Sequence, residues 1–449
     1  MASTYLTRTT GTPTDSKKYT FAAWIKRCDI GAGNSKIFSR TWGSGGEEKL
    51  EFNNDDLIWR NTSGGGGSTN WERVTNRKFR DCSAWYHIVV TFDSTQNTSD
   101  DGDRIKIWVN GVQETSFSSS SYPSLNADSA FMDTGVTQNY GRYASGGQET
   151  SSIWSHVHLT DGYAYAASDF GSFDNVTGEW KPITSPSVTY GNNGFFWFKD
   201  NADTTDNSPN SNTFTVAGGT LTKTEDNPSH NFTVLNVLQY WGVNGATMSN
   251  GNTTIATASA GHRYMTSTFG VSKGKYYAEF KCAVAAASGN SVVGVTDHEC
   301  KDGTDELGQD NYSYAYLGGG NDYVRANGSN VLTGMPTWGV NDIICVALDA
   351  DNNKLYFRVN SDSWINSADP TSGATGTGAV SITNAQGFYF FGVGDWHGSS
   401  SATWQCNFGN GFFGTTAISS EGTNASGIGK FEFDVPTGYT ALSTKGLNE

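Results

Sequence analysis

Three groups of side chains in this 449-residue chain have the types and spacing for chemistry. In GEEKLEF, Glu47, Lys49 and Glu51 alternate with Glu48, so an extended strand would put the first three on one face. Two carboxyl groups about 5 Å apart would suit a retaining glycosidase. Strand rise instead spaces Glu47 and Glu51 about 13 Å apart, and exposed strand carboxylates are the better reading. In HVH, His156 and His158 share a strand face with Asp161 nearby, a start on a metal site with no third ligand at a recognisable spacing. His87 in WYHIVV reads as a packed, hydrogen-bonded histidine. No GxSxG, HExxH, Walker loop or Cys–His nucleophile pattern occurs.

Hard oxygen ligands cluster in two loops. Asp100, Asp101 and Asp103 fall in SDDGD, and Asp200, Asp203 and Asp206 with Asn207 in DNADTTDN, which makes calcium the one ion to carry. Turn formation by Asp and Asn is the competing reading. No cofactor is required by any motif. Trp42, Trp71, Trp364 and Trp396 lie in loop-like contexts, where an exposed indole could stack on the C–H face of a sugar. Trp24, Trp85, Trp108 and Trp197 lie within apolar runs and read as core.

These groups must be positioned by strands. RIKIWVNG alternates Ile105, Ile107 and Val109 with polar or amphipathic residues, then offers Asn110-Gly111 for a type I′ hairpin turn. Similar segments are YTFAAWIKR (19–27), SKIFSR (35–40), KLEFNN (49–54), LIWRN (57–61), WYHIVVTFD (85–93) and GFFWF (194–198). AYAASDFGSF (164–173) is a weaker helical piece, and about thirty polar residues follow GFFWF. Strand signals resume with KYYAEFKCAV (275–284), SVVGVTD (291–297), YSYAYL (312–317), DIICVALDAD (342–351), KLYFRVN (354–360), GFYFFGVG (387–394) and TWQCNFG (403–409). VALDADNNKLYFRVN repeats the plan of VVTFDSTQNTSDDGDRIKIWVNG: a strand ending in Asp, a polar turn, an alternating strand.

The expected fold is therefore all-β, two β-sandwich (jelly-roll) domains in tandem with little helix. The expected divisions are a first domain over 1–200, a polar wrapping segment or linker over 201–235, and a second domain over 236–449. The 54 glycines and 13% aromatic residues suit short strands joined by polar turns. A net charge of −15 argues against nucleic acid and anionic membranes as partners. The six cysteines form no CxxC pair and read as reduced and mostly buried. The first eighteen residues have no apolar h-region and no run reaches membrane-spanning length, which together predict folding in a cytosol.

YTFAAWIKR, WYHIVVTFD and RIKIWVNGVQE resemble the laminin-G-like, concanavalin-A-type jelly roll. GKYYAEFKC, VVGVTD, WGVNDIICVALDADNNKLYFRVN and FYFFGVGD resemble the SPRY domain. The glucanases of the first family carry an ExDxxE arrangement on one strand, which is missing here; its laminin-G-like members often bind calcium. YLTRTTG, HLTDGYAYAASDFG, GEWKPI, YGNNGFFWFKDN, DNPSHNF and the closing PTGYTALSTKGLNE resemble, in order, segments of virion proteins of marine tailed bacteriophages. That resemblance implies a non-enzymatic virion surface protein made in the bacterial cytoplasm. The role implied is a tail fibre or receptor-binding component attaching to a host glycan or protein, with capsid decoration as the alternative. Its implied partners are other virion proteins and copies of itself, a trimer being favoured. A glycan-degrading enzyme with a binding module is the alternative of another class. A secreted adhesion protein, suggested by the sequons at Asn61 and Asn252, is a third.

Overall fold

The computed structural model describes residues 4–43, 45–65, 67–98, 100–199, 203–239, 245–257, 263–298, 306–320, 323–396 and 399–448. The chain divides into two compact units, Met1–Lys223 and Thr224–Glu449. Both are built from β-sheet with short 3-10 turns among the described residues. None of the helices there is long and apolar enough to cross a membrane.

In the first unit an eight-stranded antiparallel sheet runs, in spatial order, Phe117–Ser121, Thr69–Lys78, Asp56–Thr62, Gly46–Asn53, Ser35–Trp42, Thr137–Tyr140, Tyr5–Thr9 and Thr215–Gly218. A six-stranded sheet runs Phe195–Trp197, Ser152–Asp161, Lys18–Arg27, Trp85–Asp93, Ile105–Val109 and Val112–Gln113. Alternation places Phe21, Ile25, Val90 and Ile107 of the smaller sheet against Phe38, Leu50, Phe52 and Trp59 of the larger, closing one core. The outer face of the six-stranded sheet is covered as well. Ala22, Val89 and Trp108 pack beneath Ala167 and Phe170, so Lys18–Arg27 is buried on both faces nearly throughout. The expected helical piece is a 3-10 turn, Ala167–Asp169, running into strand Gly171–Phe173.

The hairpin at Asn110-Gly111 forms as its residues dictate. Asn110 and Gly111 have φ of 48° and 81°, and Val109 pairs with Val112. Gly111 is needed for space too: a Cβ there would lie 2.5 Å from the Trp180 ring.

The second unit repeats the plan. Lys275–Val284, Ile343–Asp349, Lys354–Val359 and Thr403–Asn407 belong to one sheet, and Ser291–Thr296, Ser313–Leu317 and Phe390–Asp395 to the other. Their facing sides bury Phe280, Val346, Phe357, Val293, Tyr316 and Phe391. On the outer side of the first of these sheets, Tyr277, Cys345 and Tyr356 are covered by Phe431, Val435 and Tyr439 from the C-terminal segment. The echo between the two domains holds at the turns. Asp93 accepts hydrogen bonds from Thr95 and Gln96, and Asp349 from Asn352, each capping the turn after its strand.

The polar segment expected over 201–235 divides between the units. Thr215–Gly218 pairs with Tyr5–Thr9 in the first, while Phe232 bridges to Ser443 in the second. The five described cysteines, 28, 82, 282, 345 and 406, are buried. Cys300 lies outside the described residues.

Candidate functional site

A polar cleft of the first unit opens where two strands part. Tyr5–Thr9 pairs with Thr215–Gly218 only as far as Thr7–Thr215, while on its other side its ladder continues to Thr9–Thr137. Beyond Thr7 the chains diverge around a cleft of about 510 Å³, lined by Thr7, Arg8, Thr9, Asn192, Asn212 and Thr213 among others.

Two aspartates, Asp161 buried and Asp206 half-buried, hold its walls. Asp161 ends strand Ser152–Asp161 and is fully buried. Its carboxylate accepts from the Thr14 amide at 2.9 Å, the Asn193 amide at 2.9 Å and Asn193 Nδ2 at 3.1 Å. Gly191 has φ +67° and its missing Cβ would sit 1.9 Å from the Asp161 carbonyl oxygen, so only glycine lets this loop close. On the opposite wall, Asp206 accepts from the amides of Phe196, Ser208 and Asn212 at 2.9, 2.9 and 2.8 Å and from Ser208 Oγ at 2.9 Å. Asn212 is thereby fixed, and its Nδ2 donates to the carbonyls of Asn192 and Gly194.

Arg8 forms the floor. It points inward from its strand beside Leu6, is 8% exposed, and donates from Nη1 to the Asn193 carbonyl at 2.6 Å and from Nη2 to Asn193 Oδ1 at 3.3 Å. Its guanidinium lies 5.6 Å from the Phe214 ring centroid. Burial lowers its pKa, against the opposing through-space pull of Tyr140, Asp206 and Asp161.

The expected calcium ligands are placed separately. Asp101 pairs with Arg104 at 2.8 Å and Asp103 with Lys106 at 3.1 Å, while Asp100 caps the Gly102 amide. Asp203 accepts from the Thr205 amide, and Asp200 lies outside the described residues. Asp206 is the wall of the cleft just described. Among the described residues no three His, Cys, Asp or Glu side chains are gathered as a metal site.

The four loop tryptophans also differ in placement. Trp71 is a correction: it lies within strand Thr69–Lys78, 4% exposed, edge-on to Trp59 at 5.2 Å in the core, and has no free face. Trp396 is 9% exposed, donates to the Leu307 carbonyl at 3.2 Å and lies under Arg325. Trp364 is half-buried, its ring 4.8 Å from the Arg358 guanidinium. Trp42 is half-buried at the end of strand Ser35–Trp42, with Arg40 at 4.7 Å and its indole over Gly46. One arginine thus lies against each of these three rings.

Glu47, Lys49 and Glu51 do share a face, but lysines bring the carboxylates together. Lys49 Nζ reaches Glu47 at 3.1 Å and Glu51 at 3.0 Å, and the buried Lys36 joins both. Glu48, on the other face, is fully buried and accepts from Tyr19, Asn61, Ser129 and the Phe131 amide; burial pushes its pKa up.

The histidines are packed. His158 bonds the Tyr190 hydroxyl through Nδ1 at 3.0 Å and stacks on Phe196 at 4.0 Å. His156 sits at a β-bulge with φ 47° and meets Ser155 Oγ at 2.7 Å. His87 is fully buried, stacks on Trp24 and accepts from Trp180 Nε1 at 3.0 Å, and burial pushes its pKa down to about 3.

Sequence reasoning missed Arg8, Asn193 and Asp161 as a group. The signal present was YLTRT, an alternating strand with a lone arginine on its inward face.

Comparison with known proteins agrees with this architecture. Residues 2–162 match the Concanavalin A-like lectin/glucanases superfamily, and residues 275–377 match the SPRY domain. Among solved structures, the SPRY domain of human HERC1 is similar at 15% identity, covering 36% of this chain and 93% of that one, with a TM-score of 0.29. The TRIM65 PSpry domain is similar at 12% identity over 39% and 92% of the two chains, with a TM-score of 0.28. A heptameric SAP-like pentraxin from Limulus polyphemus is similar at 16% identity over 37% and 72%, with a TM-score of 0.27. No curated protein matches the chain. The chain thus carries a concanavalin A-like jelly roll in its first unit and a SPRY-type β-sandwich in its second.

Proposed function

We propose that the protein is a non-enzymatic surface component of a bacteriophage virion, a tail-fibre or receptor-binding subunit that attaches the particle to a host glycan or protein. The observation that carries this reading is the pairing, in one chain, of two binding-type sandwiches, with the carboxylates of strand Gly46–Asn53 in the first taken up by internal partners. Glu47 and Glu51 are bridged by lysines, and Glu48 by four hydrogen-bond donors. The ordered segments that resemble marine phage virion proteins supply the setting. Assembly as a homotrimer on other virion proteins belongs to the same proposal.

Mass spectrometry of purified particles, together with gold-labelled antibody, tests it. The expected result is the protein on the particle, with label at the tail tip. Label over the capsid would favour decoration of the shell, and absence from particles would refute the proposal. Incubation of the full chain with host polysaccharide is expected to release no reducing sugar; release would favour the glycan-degrading alternative.

A further inference from the structure

The floor of the polar cleft holds a guanidinium with hydrogen-bond donors to spare. A guanidinium carries five N–H donors. Among the described residues, the acceptors that engage Arg8 are the carbonyl oxygen and Oδ1 of Asn193. Asp161 and Asp206 act on Arg8 through space, yet among the described residues no carboxylate forms an ion pair with it. Both carboxylates are already occupied, by Thr14 and Asn193 and by Phe196, Ser208 and Asn212. A guanidinium with no directly paired carboxylate and with N–H donors to spare can donate twice, through its planar fork, to an incoming carboxylate.

The walls specify the remainder of the ligand. Thr9, Thr213 and Thr215 are exposed on the cleft, and no hydrogen bond within the described residues uses their hydroxyls. Hydroxyls both donate and accept, as sugar hydroxyls do. Asn212 is held rigidly by Asp206 and its neighbours, with its Oδ1 left over. The volume of about 510 Å³ falls within the ordinary range for small-molecule sites. A single cation in a chain of net charge −15 gives no purchase to a nucleic acid.

We propose that this cleft, rather than the loop tryptophans, is the ligand site of the first unit, and that it takes an acidic saccharide whose carboxylate meets Arg8 while its hydroxyls meet Thr9, Thr213, Thr215 and Asn212. This rests on the attachment reading above and adds to it the site and the ligand class.

Isothermal titration of the full chain with galacturonate and mannuronate oligomers, and with the same oligomers after reduction of their carboxyl groups, provides the test. An acidic oligomer is expected to bind and its reduced form to bind at least tenfold more weakly. The Thr9→Val/Thr213→Val double variant, altered only at exposed hydroxyls without internal partners, is expected to lose at least tenfold in affinity at an unchanged melting temperature. Arg8→Lys, which keeps the charge and loses the fork, is expected to weaken binding of the acid more than that of the reduced form. Failure to bind any acidic oligomer, equal binding of acid and reduced forms, or full affinity in the double variant would each overturn the inference. A chain that coats host cells yet binds no uronate sinks this inference alone. Absence from the virion sinks the attachment reading itself.

Discussion

Glu279 gives the sharpest quantitative handle on the second unit. It is fully buried on strand Lys275–Val284 and fastens the C-terminal segment to the outer face of its sheet. Oε1 accepts from the Tyr277 hydroxyl at 3.0 Å and the Phe433 amide at 2.8 Å; Oε2 accepts from Asn407 Nδ2 at 3.1 Å and the Glu432 amide at 2.9 Å. Burial raises its pKa from 4.5 to about 7, with the four donors offsetting only part of the effect. An acid whose folded pKa is raised favours the protonated folded state. Its contribution is therefore complete below pH 4.5 and is lost as pH rises toward 7. At 1.36 kcal/mol per pH unit the loss amounts to about 3 kcal/mol, or roughly 6–12 °C in melting temperature for a unit of this size. In Glu279→Gln that slope disappears. The variant carries its own cost, because its new N–H₂ must face a backbone amide at 432 or 433. Asn407 cannot turn to help, since its Oδ1 already accepts from Gly409 and Gly411. One buried donor left unpaired costs about 1–3 kcal/mol. Thermal melts of both proteins between pH 4 and 8, with hydrogen exchange read at residues 430–435, measure each term. Parallel pH profiles for wild type and variant would refute the reasoning.

Other consequences are as direct. Glu51→Gln leaves Lys36, whose side chain is 1% exposed, with Glu47 as its remaining acidic partner on the strand beside it, and is expected to cost about 3–5 kcal/mol. A paired Lys36→Met/Glu51→Leu variant should recover most of that in chemical denaturation, with little dependence on salt. Trp71→Ala should cost about 3–5 kcal/mol in the first unit, as a truncated core aromatic does, whereas half-buried Trp42→Ala should cost less than half as much in the same melts. His87 is held neutral by burial, so its contribution is complete above pH 6.5 and is lost as pH falls toward 3. Replacing it with Phe should flatten the acid side of the first unit's stability profile, and an unchanged slope would contradict that assignment.

The strands Lys18–Arg27, Trp85–Asp93 and Ile343–Asp349 were legible because each is a short run rich in β-branched and aromatic residues, buried on both faces and bounded by polar turns. Thr69–Lys78 was not. Its sequence TNWERVTNRK is mostly polar, and Trp71 joins the core only because the neighbouring strand supplies Trp59 and the facing sheet supplies Phe92. Tyr5–Thr9 escaped for a related reason: Arg8 takes an inward position where an apolar residue is expected, and its reason for being there is Asn193, far away in the chain. The aspartates of the 203–206 loop were visible as oxygen donors. Whether such oxygens face an ion or backbone amides is decided by how the loop closes. Asp206 turned toward the amides.

The most direct measurement of the central claim is phage adsorption to host cells in the presence of the purified full chain. If the protein is the attachment component, rising concentrations of it should occupy the host receptor and slow adsorption in a saturable way, and the Thr9→Val/Thr213→Val variant should compete more weakly. Adsorption that proceeds at its full rate at saturating protein, with no chain retained on the cells, would contradict the account.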